Sequence, residues 1–237
     1  MPKHGKKYDE AIKAIEPDKV YNLNEAVSLL KKTSYTKFDP TVEIHFKLGI
    51  DQRHADQQVR ATATLPHGTG KPIRILVFTQ GEGELLARQA GADFVGSDDM
   101  IKQIEGGWLD FDIAIATPEQ MGKVGRLGKI LGRRGLMPNP KSGTIAQAND
   151  LPRVIEEVRR GKVEFRNDKT NLVHVGVGKL SFSEDQIREN LAALIEAIVR
   201  NKPSGAKGTY IKSITVTTTM GPGIALDVNP TLAEVGA

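Results

Sequence analysis

The sequence predicts an α/β protein of two domains. One is a discontinuous, two-layer α+β domain built from the N- and C-terminal segments around an antiparallel sheet. The other is a Rossmann-like, three-layer α/β domain inserted into it. Three observations carry this. Both ends of the chain hold strands whose apolar residues alternate with polar ones, the mark of a sheet with one wet face. The middle holds short runs that are apolar throughout, with helical stretches between and after them, as strands covered on both faces require. A Gly/Pro-rich breaker, Pro66-His67-Gly68-Thr69-Gly70-Lys71-Pro72, marks the first change of style, and Gly161 marks the return. The expected division is 1–67 with 160–237 for the outer domain and 68–159 for the insert. Two linking strands of chain permit hinge motion.

The elements follow in order. Lys6–Ile15 and Leu23–Lys32 read as short amphipathic helices, the second with Ala26, Val27, Leu29 and Leu30 on one face. In Thr41–Ile50, Val42, Ile44, Phe46 and Leu48 alternate with Glu43, His45 and Lys47, so this is a half-wet strand. Gln58–Leu65 continues the alternation as an antiparallel companion. Ile73–Phe78 and Ile113–Ala116 are the buried strands of the insert. Leu85–Ala90 is a helix capped at Gly91. Ser97 caps a helix through Ile104, and Thr117-Pro118-Glu119 opens another. Leu151–Arg160 is a helix ending at Gly161. Val163 and Phe165 lead through the turn Asn167–Asn171 into Leu172–Val177, a hairpin. Ser183 caps a long helix with the stripe Ile187, Leu191, Leu194, Ile195 and Ile198. Tyr210–Thr218 is the final strand.

Composition narrows the chemistry. With 237 residues and 39% hydrophobic content, the chain is long enough for a real core. It has no cysteine, which excludes disulfides and Cys-ligated metals, and His4, His45, His54, His67 and His174 show no ligand spacing. No metal or cofactor is expected. The N-terminus lacks an apolar signal region and no run reaches the length of a membrane span, so a soluble cytoplasmic protein is expected.

The net charge of +4 is unevenly spread. Gly81–Glu119 carries nine acids and two bases; Gln120–Asn149 carries six bases and no acid. Ala197–Leu226 again has no acid, with Arg200, Lys202, Lys207 and Lys212. Two long acid-free stretches read as surfaces for phosphate, against the alternative of ordinary solvated faces.

The first motif runs from Gly125 to Lys141. Its glycines allow close backbone approach, Pro138 and Pro140 stiffen what reads as a loop, and Lys129, Arg133, Arg134 and Lys141 supply charge. The rival is a phosphate- or nucleotide-binding α/β enzyme. However, the phosphate-loop signature is absent, no nearby acid can hold Mg²⁺, and Gly81-Glu82-Gly83 lacks the third glycine of a dinucleotide loop. No nucleophile motif is present. The second motif, Thr217-Thr218-Thr219-Met220-Gly221-Pro222-Gly223, offers hydroxyls, a Met and a close-approach glycine to RNA. A plain strand ending in a turn explains it equally well. The third, Thr36–Glu43, sets Lys37 beside Phe38, where a stacking contact competes with a core role that the pattern alone favours.

Several strings together are more specific. They are Gly128–Lys141, Glu164–Thr170, Lys202–Gly208, Thr217–Pro222, Lys37–Glu43, Leu65–Lys71 and Ala90–Gly96. In order and over nearly the whole chain, they resemble the bacterial large-subunit ribosomal protein L-one family, universal family uL-one. The resemblance implies a structural RNA-binding protein, not an enzyme, with one domain inserted in another. It implies binding to a helical junction of 23S rRNA in the large ribosomal subunit. The protein would form the mobile stalk beside the exit site and help release deacylated exit-site tRNA. Free protein, a monomer, would bind its own operon mRNA and repress translation. By motif matching, the implied RNA-binding residues are Lys37, Phe38, Thr41, Glu43, Thr217, Thr219, Met220 and Gly221, with Asp168, Lys169, Thr170 and Ser213. Lys129, Arg133, Arg134 and Lys141 would make an auxiliary rRNA contact. Arg133 stands where many relatives are expected to carry Pro, which adds charge and loosens that segment.

Overall fold

The computed structural model describes residues 5–236. In chain order the elements are α1 (Lys6–Ile12), α2 (Leu23–Thr33), β1 (Thr41–Leu48), β2 (Arg60–Thr64), β3 (Ile75–Phe78), α3 (Glu82–Gln89), β4 (Phe94–Gly96), α4 (Asp98–Glu105) and β5 (Ile113–Ala116). They continue with α5 (Met121–Val124), α6 (Gly128–Arg134), α7 (Leu151–Arg159), β6 (Lys162–Arg166), β7 (Leu172–Lys179), α8 (Glu184–Arg200), β8 (Ile211–Thr218), β9 (Ile224–Leu226) and α9 (Val228–Val235). The chain divides into two units, Met1–Lys71 with Val163–Ala237, and Pro72–Lys162.

In the first unit, alternation does the building. Val42, Ile44, Phe46 and Leu48 are buried, and the residues between them are not. Side chains of a strand point to opposite faces in turn, so β1 has one dry and one wet face. It sits inside an antiparallel sheet of order β7-β1-β8-β9. The dry face, with Val173, Val175, Val177, Ile214 and Val216, shares a core with α2 and α8. Each such side chain contributes about 1.5–3 kcal/mol on burial. The long helix α8 starts as its sequence requires: Ser183 and Gln186 form a reciprocal capping box. Its stripe Ile187, Leu191, Leu194, Ile195 and Ile198 is buried. Helix α2 is capped by Asn22 and buries Leu23, Ala26, Val27, Leu30 and Thr33, while Leu29 is only partly covered. Fully buried Asn190 on α8 accepts from the His67 N–H (3.0 Å) and donates to the Gly68 (2.9 Å) and Val177 (2.7 Å) carbonyls. It thereby pins the Pro66–Gly68 segment to this unit.

Three expectations for this unit change. Strand β2 pairs with β6 in a separate two-stranded sheet and does not extend the β1 sheet. β6 and β7 are not a hairpin; they share a single bridge, Asn167 with Val173. The reason lies in the turn. Asn167 exchanges hydrogen bonds with Val59, its N–H to the carbonyl (3.1 Å) and its side-chain oxygen from the N–H (2.8 Å). That bond holds β6 toward β2. The Asp168 carboxylate then takes the N–H groups of Thr170 and Leu172 and turns the chain into the other sheet. Finally, β8 is not the last element. β9 lies behind Gly221-Pro222-Gly223, and α9 follows, capped by Asp227.

The second unit is a parallel sheet of order β4-β3-β5. β3 is buried on both faces, so it is apolar throughout. Leu76 and Phe78 face a cluster with Ile101, Ile104, Leu127 and Leu131. Ile75 and Val77 face another with Ala87, Leu151, Val154, Ile155 and Val158. Helices therefore cover both sides, giving three layers. Gly91, at φ 85°, ends the α3 segment as its backbone freedom predicts. Ser97 stands at the N-cap of α4 but makes no cap bond; its hydroxyl donates to the Gln120 side chain at 2.6 Å. Thr117-Pro118-Glu119 opens a 3-10 turn, and α5 begins only at Met121. The motif read as a Gly-rich loop is half helix. Val124, Leu127 and Leu131, spaced three and four apart, are buried, and left-handed Gly135 (φ 72°) closes α6.

Candidate nucleic-acid interface

The wet face of the four-stranded sheet is built by register. Across β1, Glu43 pairs with Thr217, His45 with Thr215 and Lys47 with Ser213; on the other side His45 pairs with His174 and Thr41 with Lys179. Cross-strand partners project to the same side. One polar surface therefore carries Thr41, Glu43, Thr217 and Ser213, which lie far apart in sequence. None of these four is buried, and among the described residues the helices α2 and α8 pack on the opposite, dry face.

One end of the face is tightly fixed. The Thr41 N–H donates to the Thr219 hydroxyl at 3.1 Å, and the Thr219 N–H donates to the Thr41 carbonyl at 2.9 Å. Lys179 donates to the Thr41 hydroxyl at 3.0 Å. The Thr217 hydroxyl reaches the Gly221 and Pro222 carbonyls at 3.1 and 3.2 Å, and the Gly221 N–H donates to Thr218 at 2.7 Å. These bonds fold 217–222 into a corner with Met220 at its tip. Met220 has φ 70°, a left-handed conformation costly for a side chain, and is 65% exposed. The Tyr35 hydroxyl holds its carbonyl at 2.5 Å. Gly221 is obligatory here: a Cβ would lie 2.2 Å from the Thr218 hydroxyl. Beside the corner, Lys37 is exposed and Phe38 is 56% exposed. The core role that pattern alone favours for Phe38 is therefore wrong: the segment 36–39 is a bend outside the sheet, with the Thr36 hydroxyl bonded to the Phe38 carbonyl. An exposed Phe and Met within a polar surface present apolar faces of the kind on which a base or sugar can stack.

The other end is the Asp168–Thr170 turn. Lys47 donates to the Thr170 carbonyl at 2.8 Å, joining the turn to β1. The Asp168 carboxylate is committed to that turn. The Leu172 N–H, then the Thr170 hydroxyl and N–H, hold its carboxyl below the usual range. Lys169 is exposed at the tip. Ser213 faces Lys47 at the same end. Thr41, Glu43, Thr217 and Ser213 thus share the wet face of the sheet, with the Thr219–Gly221 corner joined to β1 at one end and the Asp168–Thr170 turn joined to it through Lys47 at the other.

Sequence reading places His45 on the wet face of β1 but misses its partner. His45 and His174 meet in the middle of the face, Nδ1 to Nδ1 at 2.8 Å, with ring centroids 4.9 Å apart. Burial, then the neighbouring His174, holds the His45 imidazole below its usual range, against the pull of Glu43. Only strand pairing brings together residues 129 positions apart, so no local spacing announces them.

In the second unit, Lys129, Arg133, Arg134 and Lys141 are all exposed. Lys129 and Arg133 sit four apart on the solvent side of α6, opposite buried Leu127 and Leu131. Among the described residues, no carboxylate pairs with any of the four. Nor, among the described residues, does any group of His, Asp and Glu suit a metal ion; His4 lies outside them. No described helix is long and apolar enough to cross a membrane.

The comparisons with known proteins identify the family. The ribosomal protein L1p/L10e family matches over residues 30–222. The large ribosomal subunit protein uL1 of Chloroflexus aggregans is 60% identical over 229 residues, 96% of this chain and 97% of that protein. That of Thermomicrobium roseum is 56% identical over 235 residues, 99% of this chain and 98% of the other. That of Dehalococcoides mccartyi is 55% identical over 236 residues, spanning both chains in full. With a family match over residues 30–222 and 60% identity over nearly the whole chain, this chain belongs to the ribosomal protein L1p/L10e family.

Proposed function

We propose that the wet face of the first unit is the surface by which this chain binds 23S rRNA. Family membership makes the protein a structural component of the large ribosomal subunit, working with the ribosome in the cytoplasm, and not an enzyme. The rival reading of a phosphate-handling enzyme falls with it. The observation that carries the RNA reading is the corner: Thr219, Met220 and Gly221 stand against Thr41, next to exposed Lys37 and Phe38, on an uncovered polar face. RNA helices hide their major groove and display hydroxyls and sugar edges on a shallow minor groove. A broad hydroxyl-bearing sheet with an exposed Phe and Met fits such a target better than a single inserted helix.

On this reading the rigid first unit grips a helical junction of the rRNA. The cations of α6 and Lys141 add an auxiliary contact. The insert, on its two connecting strands, belongs to the mobile stalk at the exit site and assists release of deacylated tRNA. The free chain, a monomer, binds a similar structure in its own operon mRNA and represses translation. Filter-binding titration against 23S rRNA transcripts, at two salt concentrations and with a generic RNA duplex as competitor, tests this. Tight binding to one fragment that survives competition is expected. Weak binding, equal for all RNAs and lost with salt, would reduce the surface to a merely basic one.

A further inference from the structure

We propose that His45 and His174 form a proton-coupled phosphate contact at the centre of the RNA face, the pair taking up one proton as an RNA backbone phosphate docks over it. The inference rests on the RNA-face reading above and adds a residue pair and a chemistry to it.

The geometry fixes the proton count. Two Nδ1 atoms at 2.8 Å hold one hydrogen between them. One imidazole donates through Nδ1–H and the other accepts with its lone pair. In the neutral pair, the donor ring has a free Nε2. A proton added there makes an imidazolium that still donates through Nδ1, so the contact survives and becomes charge-assisted. A second proton would have to enter the acceptor's Nδ1 and break the contact. The pair therefore stores one positive charge as a unit.

The surroundings explain why a charge is wanted at this place. On the RNA-face reading this surface meets a polyanion, yet the two lysines flanking its middle, Lys47 and Lys179, are engaged, and exposed Lys37 and Lys169 lie at its ends. Lys47 donates to the Thr170 carbonyl at 2.8 Å, and Lys179 to the Thr41 hydroxyl at 3.0 Å. Strand β8 contributes the uncharged Thr215 opposite His45. The carboxylates nearby are Glu43, 4.0 Å from His45 Nε2, and Asp168, 3.9 Å from His174 Nε2. On its outer side His174 borders an open groove with Lys169, Arg166 and the Arg60–Glu164 pair (2.5 Å). Among the described residues lining the middle of the face, only the imidazoles can gain positive charge. Glu43 and Asp168, at 4.0 and 3.9 Å, lie within ion-pair reach of the outward Nε2 atoms but beyond hydrogen-bond distance, so each Nε2 keeps its hydrogen-bonding direction for a docked group. A docked phosphodiester supplies the further negative charge that favours the protonated pair over the neutral one.

By linkage, if bound RNA favours the protonated pair, protonation favours bound RNA to the same degree. Affinity for 23S rRNA then rises as pH falls from 8 toward 6, by at most about tenfold per pH unit for one linked proton. The test is calorimetric titration of the full-length chain with a 23S rRNA transcript at pH 7. Two buffers of different ionisation enthalpy are used, so that the difference in apparent heat counts protons. The wild type is expected to take up a fraction of a proton approaching one. His45→Gln and His174→Gln, checked for folding by thermal melting, are expected to take up almost none, whatever their affinity. Binding with no proton uptake in the wild type, or uptake unchanged in folded variants, overturns the proposal and leaves the RNA face standing. If one variant fails to fold, the other decides. No specific binding at any pH overturns the RNA face itself, and this proposal with it.

Discussion

Thr219 and Thr41, 178 positions apart, clasp one another: the hydroxyl of Thr219 accepts the Thr41 N–H at 3.1 Å while its own N–H donates to the Thr41 carbonyl at 2.9 Å. The clasp sets the start of β1 against the end of β8 and aims the corner that follows. Thr219→Ala removes the hydroxyl's bonds, including its 3.4 Å donation to the Thr41 carbonyl, and keeps the backbone one. Stability should fall by about 1 kcal/mol and affinity for 23S rRNA by about 1–3 kcal/mol, while Thr219→Ser retains them all. Denaturant melts and filter binding on the same preparations check this. Unchanged affinity in the alanine variant contradicts the assignment.

Met220 separates stability from binding. Its left-handed φ of 70° is strained, and its side chain is 65% exposed, covering nothing of the core. Met220→Gly should raise stability by about 0.5–1 kcal/mol by relieving that conformation. The same change should weaken RNA binding by about 1–3 kcal/mol. Opposite signs in the two measurements are the signature of a residue strained for contact.

The glycines divide in the same manner. At Gly221 a Cβ would lie 2.2 Å from the Thr218 hydroxyl and 3.2 Å from its carbonyl, so Gly221→Ala should cost about 1–3 kcal/mol. At Gly132, within α6, a Cβ meets nothing within 4 Å. Gly132→Ala should stabilise its unit by about 0.5–1 kcal/mol. Thermal unfolding of both variants distinguishes a glycine needed by the fold from one that is not.

Asp168 gives a pH dependence. Its carboxyl is held below the usual range by the Leu172 N–H and then by Thr170. A depressed folded-state value means the carboxylate stabilises the fold above the ordinary carboxyl range, near pH 4. That contribution is lost as pH falls through the lower folded value. The site is open to solvent, so the electrostatic share is small. Asp168→Ala should lower the denaturant midpoint at pH 7, and the gap from wild type should shrink steadily below pH 4. A gap that stays constant to pH 2 would show that the carboxylate's charge plays no part.

The sequence reading succeeded where one local rule governed the outcome. Alternation at Val42–Leu48 and the cap residue Ser183 each determined an element outright, and the structure adds Gln186 as the other half of a capping box. It failed where a tertiary partner decided. Asn167 is drawn to Val59 across 108 positions, which turns an expected hairpin into strands of two sheets. Ser97 serves Gln120 and not its own helix. Buried Leu127 and Leu131 override glycine-rich composition to make α6 a helix. The site divides likewise. Thr217–Gly221 and Lys37–Glu43 were visible as strings, while the His45–His174 contact exists only through strand register.

The most direct test of the claim that the first unit's sheet face carries specific recognition compares two variants on one RNA. Met220→Ala and the triple change Lys129→Ala, Arg133→Ala, Arg134→Ala are titrated against a 23S rRNA transcript over a range of salt. The account predicts that Met220→Ala lowers specific affinity by about 1–3 kcal/mol with an unchanged salt slope. The triple variant should lose mainly the salt-dependent part and keep its preference over a generic duplex. Full affinity in Met220→Ala, together with loss of that preference in the triple variant, would contradict it and move recognition to α6.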